Sequence, residues 1–321
     1  MPGLPTDHDA FARAALPAYG RDPGAPLRLL SVSENATWLV RDERPMVLRV
    51  HRPGYHTLRA IESELDWVAA LRRDTAVRTP VPIPAADGRR VVGAMVDGRM
   101  LLVDAWQVVP GMTLEQTPGV SSVAAVGALM ARMHEQAMGW SPPAGFDRFA
   151  WDLDDILGPD ARWGDWRALG GLGEGDRAAI ERALELVVER VGRFGRAGDR
   201  YGLVHGDISP ANLMVDPAGG LTVLDFDDSG WSWFLFDLAC VIASFVDEAE
   251  ADRVAEGLLR GYADVRPLPR EHLAMLPAFV LLRRVHLVAW AASHAEVAAD
   301  GSPELARATA RAAARVLSGP G

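Results

Sequence analysis

LVHGDISPANLMVD (203–216) and LTVLDFDD (221–228) decide how this chain is read. Each is an apolar run that ends in an acidic turn. The first stops at His205, Gly206 turns the chain, Asp207 follows, and Asn212 comes five residues later. The second ends at Asp225, which opens the acidic series Asp225, Asp227 and Asp228. Phosphoryl transfer needs these residue types at such positions. One carboxylate orients and deprotonates an attacking hydroxyl, while an amide oxygen and another carboxylate hold Mg2+ on the phosphates of ATP. The magnesium offsets charge gathering on the transferred group.

Upstream of this stretch, LRLLSV, TWLV and MVLRV read as three consecutive strands, the last two joined by RDERP. LRAIESELDWVAALRR then places Ile61, Leu65, Val68 and Leu71 at helical spacing. The connector TPVPIP leads into VVGAM and LLVDAWQVV, paired through VDGR. After Pro110–Gly111 the texture becomes helical, in SSVAAVGALMARMHEQ and DRAAIERALELVVERVGRF. Beyond the motifs, FDLACVIASF, DRVAEGLLRGY, AMLPAFVLLRRVHLVAWAASH and PELARATARAAARVL continue it. The expectation is an α+β fold in two lobes: a small five-stranded β-rich lobe with one helix over 1–108, and a larger, mostly helical lobe over 109–321.

Composition narrows the chemistry. All 33 basic residues of the 321 are arginine. Without lysine there is no G-x-x-x-x-G-K-[ST] phosphate loop, no lysine Schiff base and no Ser-x-x-Lys hydrolase. A coding bias towards Ala, Arg, Gly, Val and Asp accounts for the absence. G-x-S-x-G and H-E-x-x-H are also missing, and GGLGEG (170–175) reads as a loop before a helix. The single cysteine, Cys240, excludes an internal disulfide framework and points to a reducing compartment. No basic and apolar leader opens the chain, and no apolar run reaches the ~18 residues of a membrane span. A cytoplasmic protein without a membrane partner is expected. The net charge of −10 argues against nucleic acid as a partner. That charge is uneven: 14 Arg face 13 Asp or Glu in 1–108, and 19 Arg face 30 in 109–321. The acidic second lobe suits a cationic substrate or metal ions, and equally a solvated surface.

The spacing H-x-D-x-x-x-x-N, followed by D-F-D, matches the catalytic loop and metal motif of protein kinases. With Gly206 and Pro210 completing HGDxxPxN, the chain resembles the aminoglycoside phosphotransferase and choline kinase superfamily, which has the protein-kinase-like fold. Within it, VLRVHRPGYH, VLDFDD and LRRVHLVAW resemble the bacterial stress response kinase A group. The resemblance spans roughly residues 27–295. It implies ATP and Mg2+ as cofactors, Asp207 as catalytic base, and Asn212 and Asp225 as metal ligands, with Asp227 a further ligand or an acceptor behind them. His205 reads as a structural residue, and Asp237, in FLFDLA, as a brace for the catalytic loop.

The resemblance also implies a third-strand cation that reaches the α- and β-phosphates and pairs with a helix glutamate. That cation is Arg49 here, in place of the usual lysine, and Glu64 is its partner; Glu62 faces elsewhere on the helix. Arginine stays charged and binds phosphate through two N–H groups, so exchange for lysine is expected to have modest effects. The nucleotide loop SVSENATW (31–38) has no glycine; Ser33, Asn35 and backbone N–H groups would serve instead. Adenine would lie against backbone near Ala105–Val109, at Trp106 and Val108.

For the acceptor, FDRFAWDLDDILGPDARWGDW (146–166) combines Trp151, Trp163 and Trp166 with Asp152, Asp154, Asp155 and Asp165. Aromatic faces beside carboxylates suit an amine, with Asp154, Asp155 and Trp231 as candidates. The same tryptophans can pack as core, and the same aspartates can cap helix starts. Three functions follow: a kinase acting on a small-molecule hydroxyl, a protein Ser/Thr kinase, or a catalytically silent nucleotide-binding regulator.

Overall fold

The computed structural model describes residues 4–117, 119, 123–294 and 302–319. Ser121 and Ser122, read as the start of a helix, lie outside the described residues. The first lobe is built on five strands: β1 (Leu27–Val32), β2 (Ala36–Val40), β3 (Met46–Val50), β4 (Val91–Val96) and β5 (Arg99–Gln107). They form one antiparallel sheet in the order β1-β2-β3-β5-β4. The β4–β5 turn is Asp97–Gly98, with φ of 47° and 75°, the left-handed pair that a two-residue hairpin requires.

Alternation along β3 sets the lobe's architecture. Met46, Leu48 and Val50 go to one face, where they pack with Val92, Ala94, Leu101 and Val103. That face is closed by Phe11, Ala12 and Ala15 of α1 (His8–Ala15), a helix the strand reading did not anticipate. Arg49 goes to the opposite face, towards α2 (Leu58–Asp74). Thr57 caps α2 by accepting the Ala60 N–H, and Arg72 and Arg73 complement the dipole in its last turn. The apolar side of α2, with Ile61, Leu65, Trp67 and Val68, joins the large core of the helical lobe. It seats the sheet on that lobe.

The second lobe contains β6 (Met112–Thr113), α3 (Val123–Gly139), α4 (Leu153–Leu157), α5 (Glu174–Phe194), β7 (Tyr201–Val204), β8 (Leu213–Val215), β9 (Leu221–Val223) and β10 (Gly230–Trp233). Among the described residues, α6 (Phe234–Ala243), α7 (Glu248–Val265), α8 (Arg270–Ser293) and α9 (Ser302–Ser318) follow. β6, β8 and β9 make one small antiparallel sheet; β7 and β10 make another. Strand β10, GWSW, escaped the sequence reading because two tryptophans beside glycine and serine give no clear alternation. α3 and α7 cross at glycines: a Cβ on Gly261 would stand 1.7 Å from the Ala124 carbonyl oxygen. α8 has the length and mean hydropathy of a membrane span, but 67% of its most apolar window is buried inside the protein. It is the core helix against which α6 and α9 pack.

Candidate active site

β7 leads into the HGD turn. Its next residues, His205 and Gly206, donate backbone N–H groups to Asp237 Oδ2 and Oδ1 at 2.9 and 2.8 Å. Asp237, fully buried on α6, also bonds His134 Nε2 at 3.0 Å. Burial alone would raise its pKa, but the His134 hydrogen bond and the backbone donors hold it below the usual carboxylate range. Gly206 has φ of 83°, and a Cβ there would meet the Asp228 carbonyl oxygen at 2.4 Å and Trp151 Nε1 at 2.6 Å. Only glycine fits this turn. The His205 ring bonds the Leu224 carbonyl through Nε2 at 2.8 Å, which assigns that nitrogen the proton, and Nδ1 accepts the Asp207 N–H at 3.3 Å. His205 therefore ties the two motif turns together structurally.

Asp207 is held from both sides. Asn212 Nδ2 donates to its Oδ2 and to its carbonyl, each at 2.9 Å. The Arg283 guanidinium on α8 binds its Oδ1. With Nδ2 committed to Asp207, Asn212 has its Oδ1 to offer a cation. Leu224 N–H bonds the Asn212 carbonyl at 2.8 Å, so the second turn is built on the first. Asp225 then takes φ of 56°, rare for a residue with a side chain. Phe226 packs edge-on against Trp67 of α2, with centroids 5.6 Å apart, which fixes where Asp225 and Asp227 emerge.

Burial, then repulsion from Asp227, push Asp225 up to about 6, against the pull of Arg49, while water still reaches 47% of its side chain. Asp227 goes the other way: burial is more than offset by His56, Arg49 and His51, which hold it ionised far below the usual range. Both Asp227 oxygens are buried, and among the described residues neither has a hydrogen-bond partner. Two carboxylates and an amide oxygen, one of them so orphaned, are a hard-oxygen donor set suited to Mg2+. Among the described residues no group of three or more His, Cys, Asp or Glu forms a complete metal cage. Mg2+ typically takes one or two protein carboxylates and completes its shell with water and phosphate, so the residues fit that ion.

Arg49 is the hub of the opposite wall. Its Nη1 and Nη2 meet Glu64 at 2.9 and 3.0 Å, while Nε and Nη2 meet Asp104 at 3.2 and 2.6 Å. Nη1 also faces Asp227 at 3.6 Å and Asp225 at 3.8 Å. Glu62 pairs with Arg59 on the outer face. Asp104 is directly opposite Arg49 in the β3–β5 register and accepts the Trp106 indole N–H at 2.8 Å. Burial would raise it, but Arg49 and His51 draw it down to about 2. Asp104 escaped the sequence reading, because only the strand register reveals it.

Other residues of this wall were missed as well. In the segment HRPGYH, the His56 ring bonds the Asp227 carbonyl at 2.9 Å and Tyr55 donates to Asp228 Oδ1 at 2.5 Å. Buried Arg148 binds the carbonyls of Asp227, Ser229 and Ala60, clamping α2 to the acidic loop. Two histidines flanking a Pro-Gly turn were the available signal for the first group; Arg148 left none.

The cleft cavity, about 210 Å3, is lined by Ser33, Glu34 and Asn35 from the β1–β2 loop and by Asp207, Asp225, Asp227 and Asp228 from the motifs. Trp163, Arg283, His286, Leu287 and Trp290 complete it. Asn35 accepts the Arg52 N–H at 3.1 Å, and Glu34 accepts the Trp290 indole N–H at 2.9 Å. Trp106 is buried in the sheet and Val108 is exposed just past the end of β5. Asp154 and Asp155 do not line the cleft. Asp152 caps their helix, and Asp155 pairs with Arg162. Trp231 packs outside the cavity against Phe146, while Trp151 and Trp166 are core. Of the aromatic and acidic segment, only Trp163 reaches the cleft.

The Phosphotransferase enzyme family model matches residues 27–274. The structure of a microcompartment-associated aminopropanol kinase is 39% identical, superposes with a TM-score of 0.88, and covers 96% of this chain and 97% of that one. The amicoumacin kinase of Bacillus subtilis is 24% identical over 81% of this chain and 77% of its own. The fold is shared with amicoumacin kinase hAmiN solved with AMP-PNP, Ca2+ and Ami, at 20% identity, a TM-score of 0.77, and coverage of 97% and 93%. With a kinase-like cleft and a family match over most of its length, this chain belongs to the phosphotransferase enzyme family and is a kinase of the protein-kinase-like fold.

Proposed function

We propose that this protein transfers the γ-phosphate of ATP, with Mg2+, to a hydroxyl of a small molecule of the amino-alcohol kind. The observation that carries the reading is the placement of Asp207 in a cleft whose other wall brings Asp225 and Asp227 within 3.8 Å of Arg49. Asp207 orients the acceptor hydroxyl and receives its proton as the new O–P bond forms and the bond to ADP breaks. Arg49 binds the phosphates through the face of Nη1 that turns to the acidic loop, while Glu64 and Asp104 keep it in place. Asn212 and Asp225 would hold Mg2+, with Asp227 beside them. Bound there, the ion supplies charge stabilisation of the transferred group. Ser33 and Asn35 lie over the phosphates, and Trp106 and Val108 border the adenine.

The acceptor class rests on the 39% identity to an aminopropanol kinase and on the acidic and aromatic lining contributed by Asp228, Glu34, Trp163 and Trp290. Asp154, Asp155 and Trp231 take no part in this reading. A cavity of about 210 Å3, bridged by Glu34 and Trp290, favours a small acceptor over a protein segment. The buried thiol Cys240 fits a cytoplasmic setting. The test is ATP consumption over aminopropanol, other amino alcohols, aminoglycosides, sugars and a generic protein. Wild-type turnover on an amino alcohol, lost by about 10²–10⁴-fold in Asp207→Asn with nucleotide affinity retained, is expected. Phosphate appearing on protein alone would overturn the acceptor assignment.

A further inference from the structure

We propose that Arg283 is a positioning residue for the reaction, fixing the Asp207 carboxylate in the plane from which it meets the acceptor hydroxyl. The inference rests on the reading of Asp207 above and concerns a residue outside the catalytic and metal motifs. Arg283 lies mid-way along α8, is 5% exposed, and lines the cleft. Its Nη2 binds Asp207 Oδ1, the oxygen that Asn212 leaves untouched. The carboxylate is thereby pinned at both ends, Oδ2 by Asn212 and Oδ1 by Arg283. A pinned carboxylate has lost the rotation about its Cβ–Cγ bond that would otherwise misdirect it.

Arg283 is itself held. Its Nη1 donates to His286 Nδ1 at 3.0 Å, one helical turn along α8. That bond requires Nδ1 to carry the lone pair, so His286 is neutral with its proton on Nε2. His286 is wedged against Trp151, Trp163 and Phe236, with ring centroids 4.6, 6.4 and 6.1 Å away. The guanidinium lies 6.0 Å from the Phe236 ring. The chain of restraint therefore runs from an aromatic cage through His286 and Arg283 to Asp207. Lysine cannot reproduce it, because one ammonium cannot reach the imidazole and the carboxylate in a fixed plane. Arg283 stays charged throughout and takes no proton from the acceptor.

The experiment is a double-mutant cycle on Asp207→Asn and Arg283→Met, with Arg283→Lys as the conservative variant. Turnover of ATP is followed as ADP release with aminopropanol as acceptor, alongside ATP affinity by calorimetry and thermal stability. Arg283→Met is expected to lower kcat by about 10²-fold with the ATP Kd unchanged within threefold. Arg283→Lys should recover part of that loss. In the Asp207→Asn background the same Arg283→Met change should lower turnover by less than threefold, because its target is gone. Equal fold-losses in both backgrounds would overturn the positioning role, as would Arg283→Met at the wild-type rate. Wild-type turnover that survives Asp207→Asn unchanged would instead remove Asp207 from the mechanism, and the role of Arg283 with it.

Discussion

Arg49 and Asp104 face each other across the β3–β5 pair and share two hydrogen bonds, Nε to Oδ1 at 3.2 Å and Nη2 to Oδ2 at 2.6 Å. Glu64 takes the other side of the same guanidinium. Two buried carboxylates thus share one planar cation, which a lysine ammonium cannot span. The modest effect expected for lysine concerns ATP binding; the cost expected from this geometry falls on stability. Arg49→Lys should leave one carboxylate poorly paired and destabilise the fold by roughly 3 kcal/mol, read by denaturant unfolding. Adding Asp104→Asn should restore most of the loss. Wild-type stability in Arg49→Lys alone would show that Asp104 does not need the fork.

Asp237 carries a second prediction. Its carboxylate accepts from His205 N–H, Gly206 N–H and His134, all in a fully buried site. An asparagine there can accept through one atom only, leaving a buried N–H unsatisfied. Asp237→Asn should destabilise by about 2–3 kcal/mol and lower kcat, since the catalytic turn hangs on it. The pH dependence has a fixed sign. A carboxyl held below its unfolded pKa contributes stability that is complete above that value and is lost as pH falls through the lower folded value. The gap between wild type and Asp237→Asn should therefore be flat from pH 8 to pH 5 and narrow only below about 4. A gap that changes near neutrality would point to His134 as the titrating group.

The motif stretch was legible as one cluster because its residue types and spacing are those phosphoryl transfer would need, and the lobes were legible because alternation and helical periodicity change at Pro110–Gly111. The resemblance pointed to Glu64 as the partner of Arg49 and helix phase set Glu62 aside, and the structure places Glu64 on Arg49 and Glu62 on Arg59. The roles of Asp104, Arg148 and Arg283 were not legible, although Arg283 falls within LRRVHLVAW. Each residue meets the partners that define its role across 55 to 88 residues of chain, so only strand register or helix docking brings them together. The Trp and Asp residues of 146–166 show the converse. Their composition suited an amine site, but burial of Trp151 and Trp166 and capping by Asp152 and Asp165 satisfy nearly all of them locally.

Asp225 should trade stability for function. Its pKa stands at about 6 because burial and Asp227 both oppose its charge. Removing that charge in Asp225→Asn should raise the Tm of the nucleotide-free protein at pH 7.5. Saturating ATP with Mg2+ should then stabilise wild type by about 2.7 kcal/mol at a hundredfold excess over Kd, and the variant far less. A variant that gains the same ligand-induced shift as wild type would exclude Asp225 from the metal site.

Glu34 and Trp290 join the lobes over the cleft, the indole N–H reaching the carboxylate at 2.9 Å with Arg52 beside it. The contact ties the β1–β2 loop, expected to lie over the phosphates, to the C-terminal part of α8. A hydrogen bond to a charged acceptor contributes about 1.5–3 kcal/mol. Trp290→Phe removes the donor and keeps an aromatic ring, so the fold should hold while the loop loses its anchor. The KM for ATP should rise about tenfold, with kcat falling less and Tm moving by only a few degrees. Glu34→Gln, which keeps an acceptor oxygen, should fall between wild type and Trp290→Phe. Unchanged KM in both variants would mean that the bridge packs the lobes without bearing on nucleotide binding.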